Sequence, residues 1–225
     1  ISASHNPVEY NGIKWVDKNG FKLPDEMEER IERIISAGIG NLPRPTGTKV
    51  GRIVHRENCI DDYIDFLVAT TDVRLDGFKI VLDCANGAAY EAAPRVFRRL
   101  GADVVAYGNK PDGTNINENC GSTHPQNLQG WVVENGADIG LAFDGDADRV
   151  GVVDERGNIV GADRILVLLA RDILTRHPGA MVVADVLSTQ VLFDEVEKAG
   201  GTPLVWKSGH SMIKAKMAEE GALLG

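Results

Sequence analysis

Cysteine, aromatic residues, positive charge and long apolar runs are all scarce in this 225-residue sequence. Its three cysteines, Cys59, Cys84 and Cys120, are odd in number, widely spaced and form no CxxC pair. That argues against a disulfide framework or a cysteine zinc site and makes a reducing cytoplasm the expectation. The longest apolar run, Ile165–Ala170, falls far short of the ~20 residues a membrane-crossing helix needs. No secretory signal peptide is visible in it. Lys and Arg total 24 against 33 Asp and Glu, for a net charge of −9. Nucleic acids and anionic membranes are bound through a positive field, so neither is an expected partner. A local basic pocket for a phosphate ester is still compatible with that balance. Hydrophobic residues make up 43%, and a single body of this mass buries roughly 70% of its extended-chain surface. A sizeable core is therefore expected.

Along the chain, Asn11–Lys22 reads as two short extended runs about the Asn19-Gly20 turn. Met27, Ile31, Ile34 and Ile35 then recur at helical spacing. Gly38–Lys49 has three Gly, two Pro and no periodicity, which marks a linker. A helix is predicted around Asp61–Ala69. From Lys79 strands and helices alternate: strands at Lys79–Leu82, Val104–Tyr107 and Asp138–Phe143, with helices ending near Gly101 and Gly136. Arg149–Asp154 and Asn158–Val160 form a hairpin, and a second α/β run occupies Arg164–Glu220. The pattern predicts an α/β fold with mixed, mainly parallel sheets flanked by helices.

The strongest chemical signal is Asp144-Gly-Asp-Ala-Asp-Arg149, directly after an apolar strand. Alternate residues point the same way, so the three carboxylates can converge. Like charges so placed call for a hard cation, and Mg²⁺ takes carboxylate and phosphate oxygens. Glu155 stands twelfth from Asp144, as in an EF-hand loop, but Arg149 occupies the place that needs Gly, so that reading is rejected. Ile1-Ser-Ala-Ser-His-Asn-Pro7 sets Ser4 beside His5, which suits either an activated hydroxyl or ordinary turn chemistry. Lys207-Ser-Gly-His210 before a helix fits an anion site or simply a capped helix start. In Lys110–Asn117 (KPDGTNIN) binding and structural roles are not separable. Cys84 reads as core, and His55, His124 and His177 as structural.

Taken together, SASHNP, DGDADR and KSGH, in this order, resemble the α-D-phosphohexomutase family: its phosphoserine loop, magnesium loop and third-domain sugar-phosphate loop. DCANGAAY and the intervening strands match as well. The resemblance implies phosphohexomutase-type domains at 1–45 (end of domain 1), 54–157 (domain 2) and 158–225 (start of domain 3), with domain 4 absent. On this reading the chain is an internal fragment, expected to be inactive alone. The implied activity is isomerisation of a hexose or hexosamine 6-phosphate and 1-phosphate through a phosphoserine and a hexose bisphosphate. Ser4 would carry the phosphate and join Asp144, Asp146 and Asp148 around Mg²⁺. His5, Lys14 and Arg149 would serve catalysis, and Lys207, Ser208, Gly209 and His210 would meet the sugar phosphate. Ser2 is expected to matter far less than Ser4. Leu187 departs from the family, where related mutases carry lysine. DCANGAAY, PDGTNIN and CGSTHP resemble phosphoglucosamine mutases, whereas VWKSGHSMIKAKM resembles phosphomannomutase/phosphoglucomutase. The competing readings are a non-catalytic magnesium- and phosphate-binding module and a metal-dependent phosphatase.

Overall fold

Ile80–Leu82 is apolar without alternation, the pattern of a strand covered on both faces. In the computed structural model, which describes residues 1–225 apart from the side chain of Asn41, this run lies in β1 (Lys79–Asp83). β1 sits between β2 (Asp103–Tyr107) and β3 (Ile139–Phe143) and is parallel to both. Beyond β3 the direction reverses: β4 (Val150–Asp154) and β5 (Ile159–Val160) add antiparallel neighbours. The five-stranded sheet is thus mixed, in the order β2-β1-β3-β4-β5.

Successive residues of β1 serve opposite faces, as the strand period of two requires. Ile80 and Leu82 cluster with Val104, Ala89 and Phe97, which brings in α3 (Ala89–Arg99). Val81 clusters instead with Ala142, Val153, Leu128 and Val132, which brings in α4 (Gln126–Asn135). α2 (Cys59–Ala69) packs on α3 and buries Ile64. The chain order 2-1-3 places the sheet's topological switch between β1 and β3, where α/β folds gather ligands beyond the carboxyl ends of the strands. The loops leaving those two strands begin at Cys84 and Asp144.

A smaller α/β unit follows. β6 (Met181–Asp185) and β7 (Thr202–Trp206) are parallel, joined through α6 (Gln190–Lys198). α5 (Ala162–Arg176) precedes them and α7 (His210–Glu220) follows. Ala170, Leu174, Val182, Ala184, Leu192 and Val196 form its core.

The N-terminal stretch is a hairpin held by single bridges, Ser2 with Gly12 and Val16 with Lys22. It turns at Gly20, whose φ is 84°. α1 (Asp25–Ser36) has the expected amphipathic spacing but buries none of its residues. Met27, Ile34 and Ile35 stay exposed. The expected linker contains only two short 3₁₀ turns, Ile39–Asn41 and Gly47–Lys49.

Asp83, at the carboxyl end of β1, is fully buried. Its carboxylate accepts the N–H groups of Ala85 at 3.0 Å and Gly121 at 2.6 Å, tying two loops to one strand end. Burial pushes this carboxyl above its usual range, and the two backbone donors offset only part of that. Asp83→Ala leaves both donors unpaired at about 1–3 kcal/mol each. Urea denaturation, followed through Trp131 with Trp15 and Trp206 replaced by Phe, should show a loss of about 2–6 kcal/mol.

Candidate active site

The loop after β3 is closed by its own first carboxylate. Asp144 is fully buried, and its Oδ1 accepts the Arg149 N–H at 3.1 Å. Ala147 stands at φ 60°, so of the extended and loop geometries that could bring the acids together, a tight turn is the one that does. The carboxylates of Asp144, Asp146 and Asp148 converge to within 4.8 Å of one another. Small residues are needed here for steric reasons. A Cβ on Gly145 would lie 2.3 Å from the Ser4 carbonyl oxygen, and one on Gly87 would lie 2.3 Å from the Gly145 carbonyl oxygen.

Those close approaches are also hydrogen bonds between backbones. Ala88 N–H donates to Gly145 O at 2.8 Å, and Gly145 N–H donates to Ser4 O at 3.0 Å. The start of α3, the acidic turn and the Ser4 loop are therefore linked in series. Ser4 sits at φ 51°, a left-handed backbone that costs a non-glycine residue about 1–2 kcal/mol. Its hydroxyl donates to Asp144 Oδ2 at 3.3 Å and lies 3.4 Å from His5 Nδ1.

Two further groups reach the acids. Lys14 Nζ donates to Asp146 Oδ2 at 2.5 Å and to Asp148 Oδ2 at 3.3 Å. Ser2, expected to matter little, donates its hydroxyl to Asp146 Oδ2 at 2.6 Å and accepts the Ser4 N–H at 2.9 Å. The acids are not equivalent electrostatically. Burial, reinforced by the neighbouring Asp146 and Asp148 charges, pushes Asp144 up. Burial also opposes ionisation of Asp146, but the bonds from Lys14 and Ser2 outweigh it and hold that carboxyl at about 2. The Asp146 bond in turn raises Lys14. Three carboxylates against one ammonium leave negative charge in excess. Asp146 Oδ1 is buried with no hydrogen-bond partner among the described residues. An unpaired buried acceptor within an acidic triad is the donor set a hard divalent cation requires.

The remaining candidates stand farther out. Arg149 is exposed, its Nε 3.9 Å from Asp148 Oδ1. A cleft of about 550 Å³ between the N-terminal hairpin and α7 is lined by Lys14, Trp15, Asp148 and His210, among others. His210 thus faces the space that Lys14 and Asp148 share, whereas Lys207, Ser208 and Gly209 do not line it. Ser208 instead donates to Asp185 Oδ2 at 2.8 Å, and Gly209, at φ 126°, starts α7. Asp185 also receives the Leu187 N–H and the Ser188 hydroxyl, joining the loops that follow β6 and β7. The Leu187 side chain is exposed. Sequence reasoning missed Ser2 and Asn117. Asn117 lay within a segment already singled out, but nothing local disclosed its partners 111 and 113 residues away.

The domain models of the phosphoglucomutase/phosphomannomutase family match this chain in order. Alpha/beta/alpha domain I covers residues 1–39, domain II residues 61–157 and domain III residues 161–225. The chain belongs to this phosphohexomutase family. It is 48% identical to the phosphoglucosamine mutase of Clostridium novyi and 51% identical to that of Thermoanaerobacter sp., each match covering all of this chain. The chain spans about half the length (51%) of these curated relatives. A crystal structure of a phosphoglucomutase/phosphomannomutase family protein from Burkholderia thailandensis superimposes with a TM-score of 0.82. That match has 38% identity and covers 100% of this chain and 48% of the other.

Isothermal titration with Mg²⁺ or Mn²⁺ tests the cation site directly. Asp146→Asn should weaken binding about tenfold or more, because it removes charge where the buried unpaired oxygen lies. Gly145→Ala should weaken it comparably by pushing the Ser4 loop away, with the sheet still folded by circular dichroism. Ser2→Ala should produce a smaller but measurable loss, since Asp146 then loses one of its two orienting bonds.

Proposed function

We propose that the protein carrying this chain is a phosphohexomutase that interconverts glucosamine 6-phosphate and glucosamine 1-phosphate. The observation that carries this reading is the Ser4 hydroxyl 3.3 Å from Asp144, inside a triad of carboxylates. Phosphoglucosamine mutases 48% and 51% identical over the whole chain support the choice of an amino sugar. On this reading residues 1–45 belong to the first domain, 54–157 to the second and 158–225 to the third, close to the three family matches.

Ser4 is the group that holds and exchanges the phosphoryl. With Ser4 phosphorylated, a sugar hydroxyl attacks phosphorus, the bond from phosphorus to Ser4 Oγ breaks, and a hexosamine bisphosphate forms. After reorientation the other phosphate returns to Ser4, leaving the isomer. Atoms balance over the two transfers, and the hydroxyl proton lost in the first is recovered in the second. Lys14 and His5, beside the acids and Ser4 respectively, hold or move that proton and neutralise phosphoryl oxygens. Arg149 on the rim adds positive charge for substrate. Asp144, Asp146, Asp148 and the Ser4 oxygen would hold Mg²⁺, which when bound supplies charge neutralisation at the phosphoryl group. Such transfer needs positioning and electrostatics more than covalent chemistry from the protein. His210 and the loop Lys207–Gly209 would orient the sugar phosphate, with Lys207 supplying the charge that Leu187 does not.

Three unpaired cysteines suit a cytoplasmic setting. Burial pushes the Cys84 and Cys120 thiols to about 12, so neither is a reactive thiolate. No helix of the described residues is long and apolar enough to cross a membrane.

A coupled assay on the full-length protein, with Mg²⁺ and a hexose bisphosphate activator, tests the reading. Glucosamine phosphate should turn over faster than mannose or glucose phosphates. Release of free phosphate without isomerisation would identify a phosphatase instead, and absence of any turnover would leave a binding module. Ser4→Ala should abolish turnover with the fold intact, and peptide mass spectrometry of active protein should find phosphate on Ser4 rather than Ser2.

A further inference from the structure

Asn117 ends the loop Lys110–Asn117 and is only 6% exposed. Its backbone is left-handed, at φ 57°, and its N–H donates to Ala85 O at 2.9 Å. The side-chain amide nitrogen spends both hydrogens on the N-terminal loop, donating to Ser4 O at 2.7 Å and Asn6 O at 2.8 Å. Those carbonyls stand on either side of His5. Ser4 O also takes the Gly145 N–H, so both of its lone pairs are engaged.

Ser4 is itself in a left-handed conformation, and such a residue persists only where its surroundings over-determine it. Gly145 and Asn117 supply that constraint from two separate loops. The choice of side chain follows from donor count. One amide nitrogen can bridge two carbonyls; a hydroxyl has a single hydrogen, and an ammonium would bring charge into a buried place. The loop behind Asn117 is braced in turn. Asn86 Oδ1 accepts Lys110 N–H at 3.0 Å, and Asn86 Nδ2 donates to Asn115 O at 3.2 Å. Asn115 Nδ2 donates to Lys110 O at 3.0 Å. The brace leads back to the carboxyl end of β1, so the sheet determines where the Ser4 peptide stands.

We propose that Asn117 is a positioning residue for Ser4, clamping the Ser4–His5 and Asn6–Pro7 peptides so that the Ser4 hydroxyl stays against Asp144. The proposal rests on the reading of Ser4 as the phosphoryl-carrying group. Two variants of the full-length protein test it. Asn117→Gly keeps a strain-free left-handed backbone and removes only the clamp. Asn117→Asp keeps the shape but turns carboxylate oxygens toward two carbonyls. In Asn117→Gly, kcat should fall by about ten- to a hundredfold at unchanged KM, as expected for a displaced reacting group. Asn117→Asp should fall at least as far. Deuterium exchange in a peptide covering residues 1–12 should accelerate in both variants, while residues 79–107 keep wild-type protection. Wild-type kcat and wild-type exchange in Asn117→Gly would overturn the proposal. Lost protection across 79–107 would also overturn it, since Asn117 would then be holding the fold. A wild-type protein without mutase activity would instead remove the phosphoserine reading, and the exchange data would still decide whether Asn117 holds the loop.

Discussion

Gly145 accepts a hydrogen bond from Ala88 N–H at its carbonyl and donates its own N–H to the Ser4 carbonyl. Three segments that are distant in sequence meet there backbone to backbone, with no side chain between them. Glycine at 87 and 145 is what makes the approach possible, because a Cβ at either would occupy the space of the next peptide. The distance from Ser4 to the acids is consequently set by peptide dimensions. The Asn117 amide, which donates to the same Ser4 carbonyl, adds a side-chain constraint to it.

Charge is the second constraint. Asp144 is buried and shielded from water, whereas Asp146 and Asp148 share an exposed ammonium with Lys14. Burial favours the neutral form of Asp144, while Asp146 stays ionised down to about 2. The Asp144 carboxylate accepts the Arg149 N–H and the Ser4 hydroxyl. The Asp146 carboxylate keeps Oδ1 buried without a hydrogen-bond partner among the described residues. Ser2 and Lys14 both bind the opposite oxygen of that carboxylate and so direct the free one.

Much of this was legible beforehand. The apolar runs at Lys79–Leu82 and Val104–Tyr107, and the alternation of strand and helix after them, gave the elements within a residue or two. The antiparallel hairpin after the acidic turn was readable from Glu155-Arg156-Gly157. α1 was read as an amphipathic helix, and it forms, but amphipathicity records a demand for cover and cannot supply it. Convergence of the three acids was expected in extended or loop geometry; Ala147 shows that a left-handed turn achieves it. The bond from Ser2 to Asp146 left no local trace because the two lie 144 residues apart.

The sequence by itself determined the chemical inventory: a hydroxyl beside a histidine, three closely spaced carboxylates, and small residues where chains must touch. It also determined the strands, because burial on two faces leaves a local apolar signature. Only the tertiary structure decided which oxygen is free, which carbonyls Asn117 holds and which of the loop residues 207–210 faces Lys14 and Asp148. Those outcomes depend on hydrogen bonds between segments more than a hundred residues apart and on the fold of the α7 start. Such bonds leave no periodicity behind, since either partner alone reads as an ordinary polar residue in a loop.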